Sequence, residues 1–294
     1  MCHLNPSQAP GGAGFTGSGI DPISPAHPGS ALLDEEMREL TEIGAGAIVF
    51  GEEEEYVVAF TFDDGPKEST TPRVLKALAD YDVPATFFVV GWRFAKERKS
   101  SLRRAAILRD ILADGHLIAN HTFNHKNLAS SPIAVGRREV DSNTAALIDH
   151  LGFRPHGFRP PYGAVKKSIR AHLRSQGLTE VRWGTDTLDF RHELRRTLRK
   201  RTMKGILKDK GGVVLMHDTK ELTAKNIAGI LDDLERENCR RLGNSERPIL
   251  PVSIHYFLRE PGGEKRPVPD HVRARTKRYR DRLPERCAAR AKKK

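Results

Sequence analysis

The sequence holds no run approaching the roughly 20 apolar residues that a membrane-crossing helix needs, so no spanning segment is predicted. Cysteine is scarce: Cys2, Cys239 and Cys287 are far apart and match neither a zinc-binding spacing nor a disulfide framework. There is no His-Glu-x-x-His, which removes the usual signature of a zinc peptidase. No internal repeat is found. Residues 1 to 30 are rich in Gly, Pro, Ser and Ala and read as a flexible leader. They lack the basic start and continuous apolar core of a secretory signal, so by sequence alone the chain reads as cytoplasmic.

What is abundant is positive charge. The 294 residues carry a formal net charge of +12, which raises nucleic acid, anionic membrane or an acidic polymer as partners. The segment 259–294 has 14 Lys or Arg against 5 Asp or Glu, a net +9, and the rest of the chain is nearly balanced. This predicts a basic, solvated tail after a folded domain spanning 31–258. No recognition motif or series of base-stacking aromatics accompanies the tail, so specific nucleic-acid binding is not expected, whereas contact with an anionic polymer is.

From Tyr56 onward, short apolar runs alternate with longer amphipathic stretches, the pattern of strand-helix units around a parallel sheet. Strands are predicted at 56–62, 85–90, 116–120, 156–159, 180–184, 212–217 and 248–254. Helices are predicted over "TPRVLKALADY", "SLRRAAILRDILADG", "AVGRREVDSNTAALIDHLG" and "TAKNIAGILDDLERE". The fold class is α/β: a barrel of about seven strands, or an open doubly wound sheet. Either architecture puts its site at the carboxyl ends of the strands.

Five segments carry titratable residues at or just after predicted strand ends. "TFDDGP" presents Asp63 and Asp64, which point opposite ways if the backbone is extended and therefore need different jobs. "HTFNH" presents His121 and His125, four apart, which share a face and reach one metal ion if the segment turns helically. "FRPPYG" presents Arg159 before Pro160 and Pro161, which stiffen the loop and aim the backbone N–H of Tyr162. "DTLDF" holds Asp186, Asp189 and Phe190, and "LMHD" ends an apolar strand on His217. Each has a bland reading: a tight turn, a chance pair among 12 histidines, a rigid loop, a satisfied core histidine. Five such accidents, all at strand ends that converge on one rim, are a poor explanation.

In this order the five segments resemble the motif set of the NodB-homology polysaccharide deacetylases, carbohydrate esterase family four, over about 56–254. The resemblance implies a distorted (β/α) barrel with one divalent ion, Zn2+ in the first place and Co2+ in the second, on Asp64, His121 and His125. It implies Asp63 as general base, tuned by Arg159, and His217 as general acid, tuned by Asp189. The oxyanion donor is the backbone N–H of Tyr162, and Pro160, Tyr162, Phe190 and Leu215 meet the substrate. Asp218 is nearer in sequence to His217, but on a strand it faces away, so Asp189 is the expected partner.

The family usually has Trp where this chain has Phe190, which predicts altered substrate fit with the metal chemistry intact. The implied substrate is an N-acetylated polysaccharide such as peptidoglycan or a chitin-like glycan, which points to periplasm, wall or secretion. The alternatives are an O-acetyl esterase of xylan type or a sugar-binding protein without turnover.

Overall fold

The computed structural model describes residues 48–49, 56–95, 99–191, 195–260 and 262–292, so the predicted leader lies outside the described residues. The strands are β1 Ile48–Val49, β2 Val57–Asp63, β3 Ala85–Val89, β4 Leu117–Asn120, β5 Gly157–Phe158, β6 Thr179–Val181, β7 Thr185–Asp186, β8 Gly212–His217 and β9 Leu250–Pro251. All ladders between them are parallel, in the order β1-β6-β5-β4-β3-β2-β8-β7, with β9 paired to the start of β2. β1 and β9 are two-residue additions, and β2 to β8 make a half-barrel of seven parallel strands. Among the described residues no ladder joins β7 to β6, so the barrel stays open there. Thr185–Asp186 forms its own strand beside β8, where the sequence suggested only one strand up to residue 184.

The helices are α1 Thr71–Tyr81, α2 Lys99–Ala113, α3 Ile133–Leu151, α4 Lys167–Ser175, α5 Arg195–Lys208, α6 Glu221–Gly243 and α7 Asp270–Ala291. α1 begins with Pro72 in its first turn, buries Val74, Leu75 and Leu78, and stops where Asp82 turns left-handed at φ 55°. Strand alternation divides the core. Val58, Phe60 and Phe62 of β2 pack outward with Val214 and Met216 of β8 under the helices, while Val57 and Ala59 point inward with Val213. The inward set continues through Thr61 to Asp63 and through Leu215 to His217, so β2 and β8 both end on a titratable side chain.

The basic C-terminal segment is not a solvated tail. α7 buries Val272, Tyr279 and Leu283, the latter two within the main core, and Cys287 is joined to Cys239 of α6 in a disulfide. The two cysteines are 48 positions apart and meet only because α7 packs against α6, a relation that spacing cannot reveal. Seven of the eight basic residues of α7 are in ion pairs, all but Arg278, including Arg286 with Glu235 and Arg290 with Asp232.

Candidate active site

Parallel register makes Asp63 and His217 direct neighbours across β2 and β8, and places Asp63 beside Phe88 on the other flank. Asp63 is buried and its Oδ1 accepts a hydrogen bond of 2.7 Å from Arg159 Nη1. Arg159 follows directly on β5 and is fully buried. Its Nη1 also donates to Thr61 Oγ1 at 2.8 Å, its Nε to the Val181 carbonyl at 3.1 Å, and its guanidinium lies 4.0 Å from the centre of the Phe88 ring. Removing one partner of such a buried pair costs about 3–5 kcal/mol because the other charge is stranded. The pair therefore fixes the orientation of both side chains. Burial works against the Arg159 charge and lowers its pKa, but the adjacent Asp63 carboxylate opposes that shift.

Asp64 leaves the strand at φ 75°, so a left-handed turn, and not strand alternation, sets its carboxylate, and those of Asp63 and Asp64 both lie beside His121 Nε2, at 3.7 and 3.6 Å. Gly65 follows because its Cα passes against the Asp218 carboxylate: an added Cβ would lie 2.3 Å from Oδ2. Asp64 Oδ1 lies 3.1 Å from His125 Nε2 and 3.6 Å from His121 Nε2. The ligand atoms of Asp64, His121 and His125 all lie within 4.8 Å of one another. The two histidines do not reach this arrangement through a helical turn, as their spacing suggested. They sit in a loop in which Thr122 and His125 take φ of 66° and 57°. Buried Glu139 of α3 secures that loop, accepting from the Asn124 backbone N–H at 2.6 Å and its side-chain amide at 2.9 Å.

These residues fit a divalent ion. Asp64 Oδ1 is buried and receives no hydrogen bond of acceptable geometry, an orphan that a cation would satisfy. His121 Nδ1 is 2.7 Å from the Arg159 carbonyl oxygen, which can only accept, so Nδ1 carries the proton and Nε2 keeps its lone pair toward Asp64. Burial lowers the His121 pKa despite the nearby carboxylates, which keeps the ring neutral as a ligand must be. At Asp64, burial favours the neutral acid, but the adjacent His125 outweighs it and holds the carboxyl well below the usual range. One carboxylate and two imidazoles make a three-ligand set of the kind that leaves a coordination position open on zinc.

His217 has the opposite environment. Its Nδ1 is 2.6 Å from Asp189 Oδ1, and its backbone N–H donates to Asp189 Oδ2 at 2.7 Å. Thr223 at the start of α6 also donates to Asp189 Oδ2. Burial opposes the imidazolium, but the Asp189 hydrogen bond and charge, with Asp63 and Asp64, outweigh it and raise the His217 pKa to about 9. Asp218 faces the other way, as alternation requires. It accepts from Thr71 on the helix side, and burial pushes its carboxyl up to about 7.

The remaining predicted residues line the same cleft. Tyr162 turns left-handed at φ 59° after buried Pro160 and Pro161, is largely exposed, and sets its ring edge-on to His125 at 4.8 Å. Phe190 is half-exposed and edge-on to His217 at 5.9 Å. Leu215 lies inside the barrel two residues before His217. Asp186 stays apart from this chemistry, its carboxylate accepting from the Leu188 backbone N–H at 2.9 Å. Sequence reasoning missed Thr61, Thr223 and Glu139. Thr61, two residues before Asp63 on the same strand face, was findable by alternation. Thr223 and Glu139 act across helix-strand packing and leave no local signal.

Residues 50–181 match the family model described as polysaccharide deacetylase. A chitooligosaccharide deacetylase of Azorhizobium caulinodans is 35% identical over 55% of this chain and 73% of its own. The peptidoglycan-N-acetylglucosamine deacetylase PgdA of Listeria monocytogenes is 32% identical over 61% of this chain, which spans only 36% of that relative's length. A family 4 carbohydrate esterase from Streptomyces lividans, solved in complex with acetate, superposes with a TM-score of 0.55 at 29% identity, covering 62% of this chain and 88% of its own. The half-barrel, the five converging segments and these relatives agree, and the chain belongs to the polysaccharide deacetylase family.

Proposed function

We propose that the chain removes acetyl groups from N-acetylglucosamine units of peptidoglycan or chitin-like glycans by hydrolysing the acetamide C–N bond. The observation that carries this reading is the pairing of Asp63 and His217 on adjacent strands, a hydrogen-bonded proton acceptor beside an imidazole that stays protonated to about pH 9. A divalent ion, Zn2+ in the first place, on Asp64, His121 and His125 would supply the Lewis acidity that activates water and polarises the acetamide carbonyl.

Asp63 accepts the proton of the attacking water, and Arg159 holds its carboxylate toward the cleft. The backbone N–H of Tyr162, set by the left-handed turn after two prolines, donates to the oxyanion. His217 gives its proton to the nitrogen as the C–N bond breaks, so the products are acetate and a free amine. Asp189 keeps that proton on the ring until it is needed. An amine leaves a tetrahedral carbon poorly unless protonated, whereas an alkoxide is less dependent on an acid. The elevated His217 pKa therefore favours N-deacetylation over ester cleavage. Leu215 and Phe190 offer apolar walls for the acetyl methyl and the sugar face.

The test is acetate release from N-acetylglucosamine oligomers and peptidoglycan by zinc-loaded, chelated and Asp63→Ala protein. Release is expected to vanish with chelator, return with zinc, and fall by about 10²–10⁴ in the variant, the usual contribution of a positioned base. Undiminished release by the chelated protein or by Asp63→Ala would refute the reading.

A further inference from the structure

The chain's excess charge projects from a different element than composition suggests. α5 carries seven Lys or Arg and no acidic residue over Arg195–Lys208. Arg199 is spent on Asp233 of α6, in two hydrogen bonds of 2.6 and 2.8 Å, and Arg201 donates to the Thr187 carbonyl. Arg196, Lys200, Lys204 and Lys208 recur every four residues and are all exposed. Among the described residues Arg196, Lys200 and Lys204 form no ion pair, and Lys208 has only Asp209 at 3.8 Å. Like charges at this spacing repel one another and cost a helix about 0.2–0.5 kcal/mol per pair. Among the described residues, the repulsion along the stripe is thus offset only by the contact of Lys208 with Asp209.

Arg196 and Lys200 of the stripe line a groove of about 640 Å³ between α5 and α6, together with Met203, Asn226, Lys225, which pairs with Glu221, and Asp233, which is neutralised by Arg199. Both walls begin at the catalytic rim. α5 starts six residues after Asp189, and α6 starts four residues after His217. The cations step away from that rim at about 6 Å per charge, the rise of four helical residues. Such spacing suits a flexible linear polyanion lying along the helix. The groove has no aromatic ring on which a nucleic-acid base would stack, and its lining has no apolar wedge to enter a bilayer.

We propose that the α5/α6 groove docks a carboxylate-bearing glycan polymer that leads the acetylated sugar to the His217 side of the cleft. This deepens the deacetylase reading and rests on it for the nature of the polymer. The docking itself is read by binding alone.

The experiment measures binding of the full chain to polygalacturonate and to poly(glycerol phosphate), as carboxylate and phosphodiester sources, at 50 and 200 mM salt. It compares the wild type with R196E/K200E/K204E and with the α7 control R278E/R280E, and thermal unfolding verifies that each is folded. The expected result is salt-sensitive binding to polygalacturonate, weakened tenfold or more in the α5 variant and unchanged in the control. Acetate release from short neutral N-acetylglucosamine oligomers should be the same in all three. Equal binding by wild type and α5 variant, an equal loss in the α7 control, or tighter binding to poly(glycerol phosphate), to duplex DNA or to anionic phospholipid vesicles than to polygalacturonate would overturn the proposal. Loss of acetate release with polymer binding intact would count against the deacetylase reading and not against the groove.

Discussion

His121 and His217 stand on two sides of one cleft, the first buried, the second mostly so and both near Asp63, yet their environments drive them to opposite protonation states. The difference lies at Nδ1. That of His121 meets a backbone carbonyl, which fixes the tautomer without adding charge, so burial prevails and the ring stays neutral. That of His217 meets the Asp189 carboxylate, which overcomes burial and keeps the ring charged. One residue type is thus fitted to a ligand role on one side and an acid role on the other under the proposed function, and the partner of Nδ1 makes the difference.

The largest expected effect comes from breaking the ligand side. His125→Ala should abolish stoichiometric zinc binding by the folded chain, measured by metal analysis after gel filtration, and acetate release should drop at least as far as in Asp63→Ala. Retention of one tightly bound zinc per chain would remove His125 from the ligand set.

A smaller and more selective effect should follow from Asp189→Asn, which removes the charge beside His217 and keeps a polar group. The folded-state pKa of His217 is raised, so the stability gained from its pairing is complete below about 6.5, the ordinary His value, and is lost as pH rises through about 9. Activity that depends on the protonated ring follows the same limb. In the variant that limb should move down toward 6.5, leaving roughly 30-fold less active protein at pH 8, with zinc affinity nearly unchanged. A pH-rate profile with an unmoved alkaline limb would detach Asp189 from the acid.

Most of the candidate site was legible in the sequence because its residues sit at or just after strand ends, where the runs stop on Asp63, Asn120, Phe158 and His217. Alternation also separated His217 from Asp218, and the family resemblance supplied Asp189, whose carboxylate meets His217 Nδ1. Local backbone conformation was not legible. The left-handed residues Asp64, Thr122 and His125 build the ligand triangle, and nothing in their side chains announces that geometry. α4 escaped notice because it buries only Ile169 and Leu173 in a strongly basic stretch. The C-terminal segment misled for a related reason. Its cations looked like a free tail because their partners, Asp82, Asp232 and Glu235, are remote in sequence, whereas those of α5 were overlooked although few acids pair with them.

The most direct measurement is the ¹⁵N spectrum of the imidazole rings in the metal-free protein across pH 5 to 10, with His121→Gln and His217→Gln for assignment. The account predicts a neutral His121 protonated at Nδ1 at neutral pH and a His217 that remains doubly protonated until about pH 9. Two rings titrating together near 6.5 would contradict it, because the Nδ1 partners would then not divide the roles.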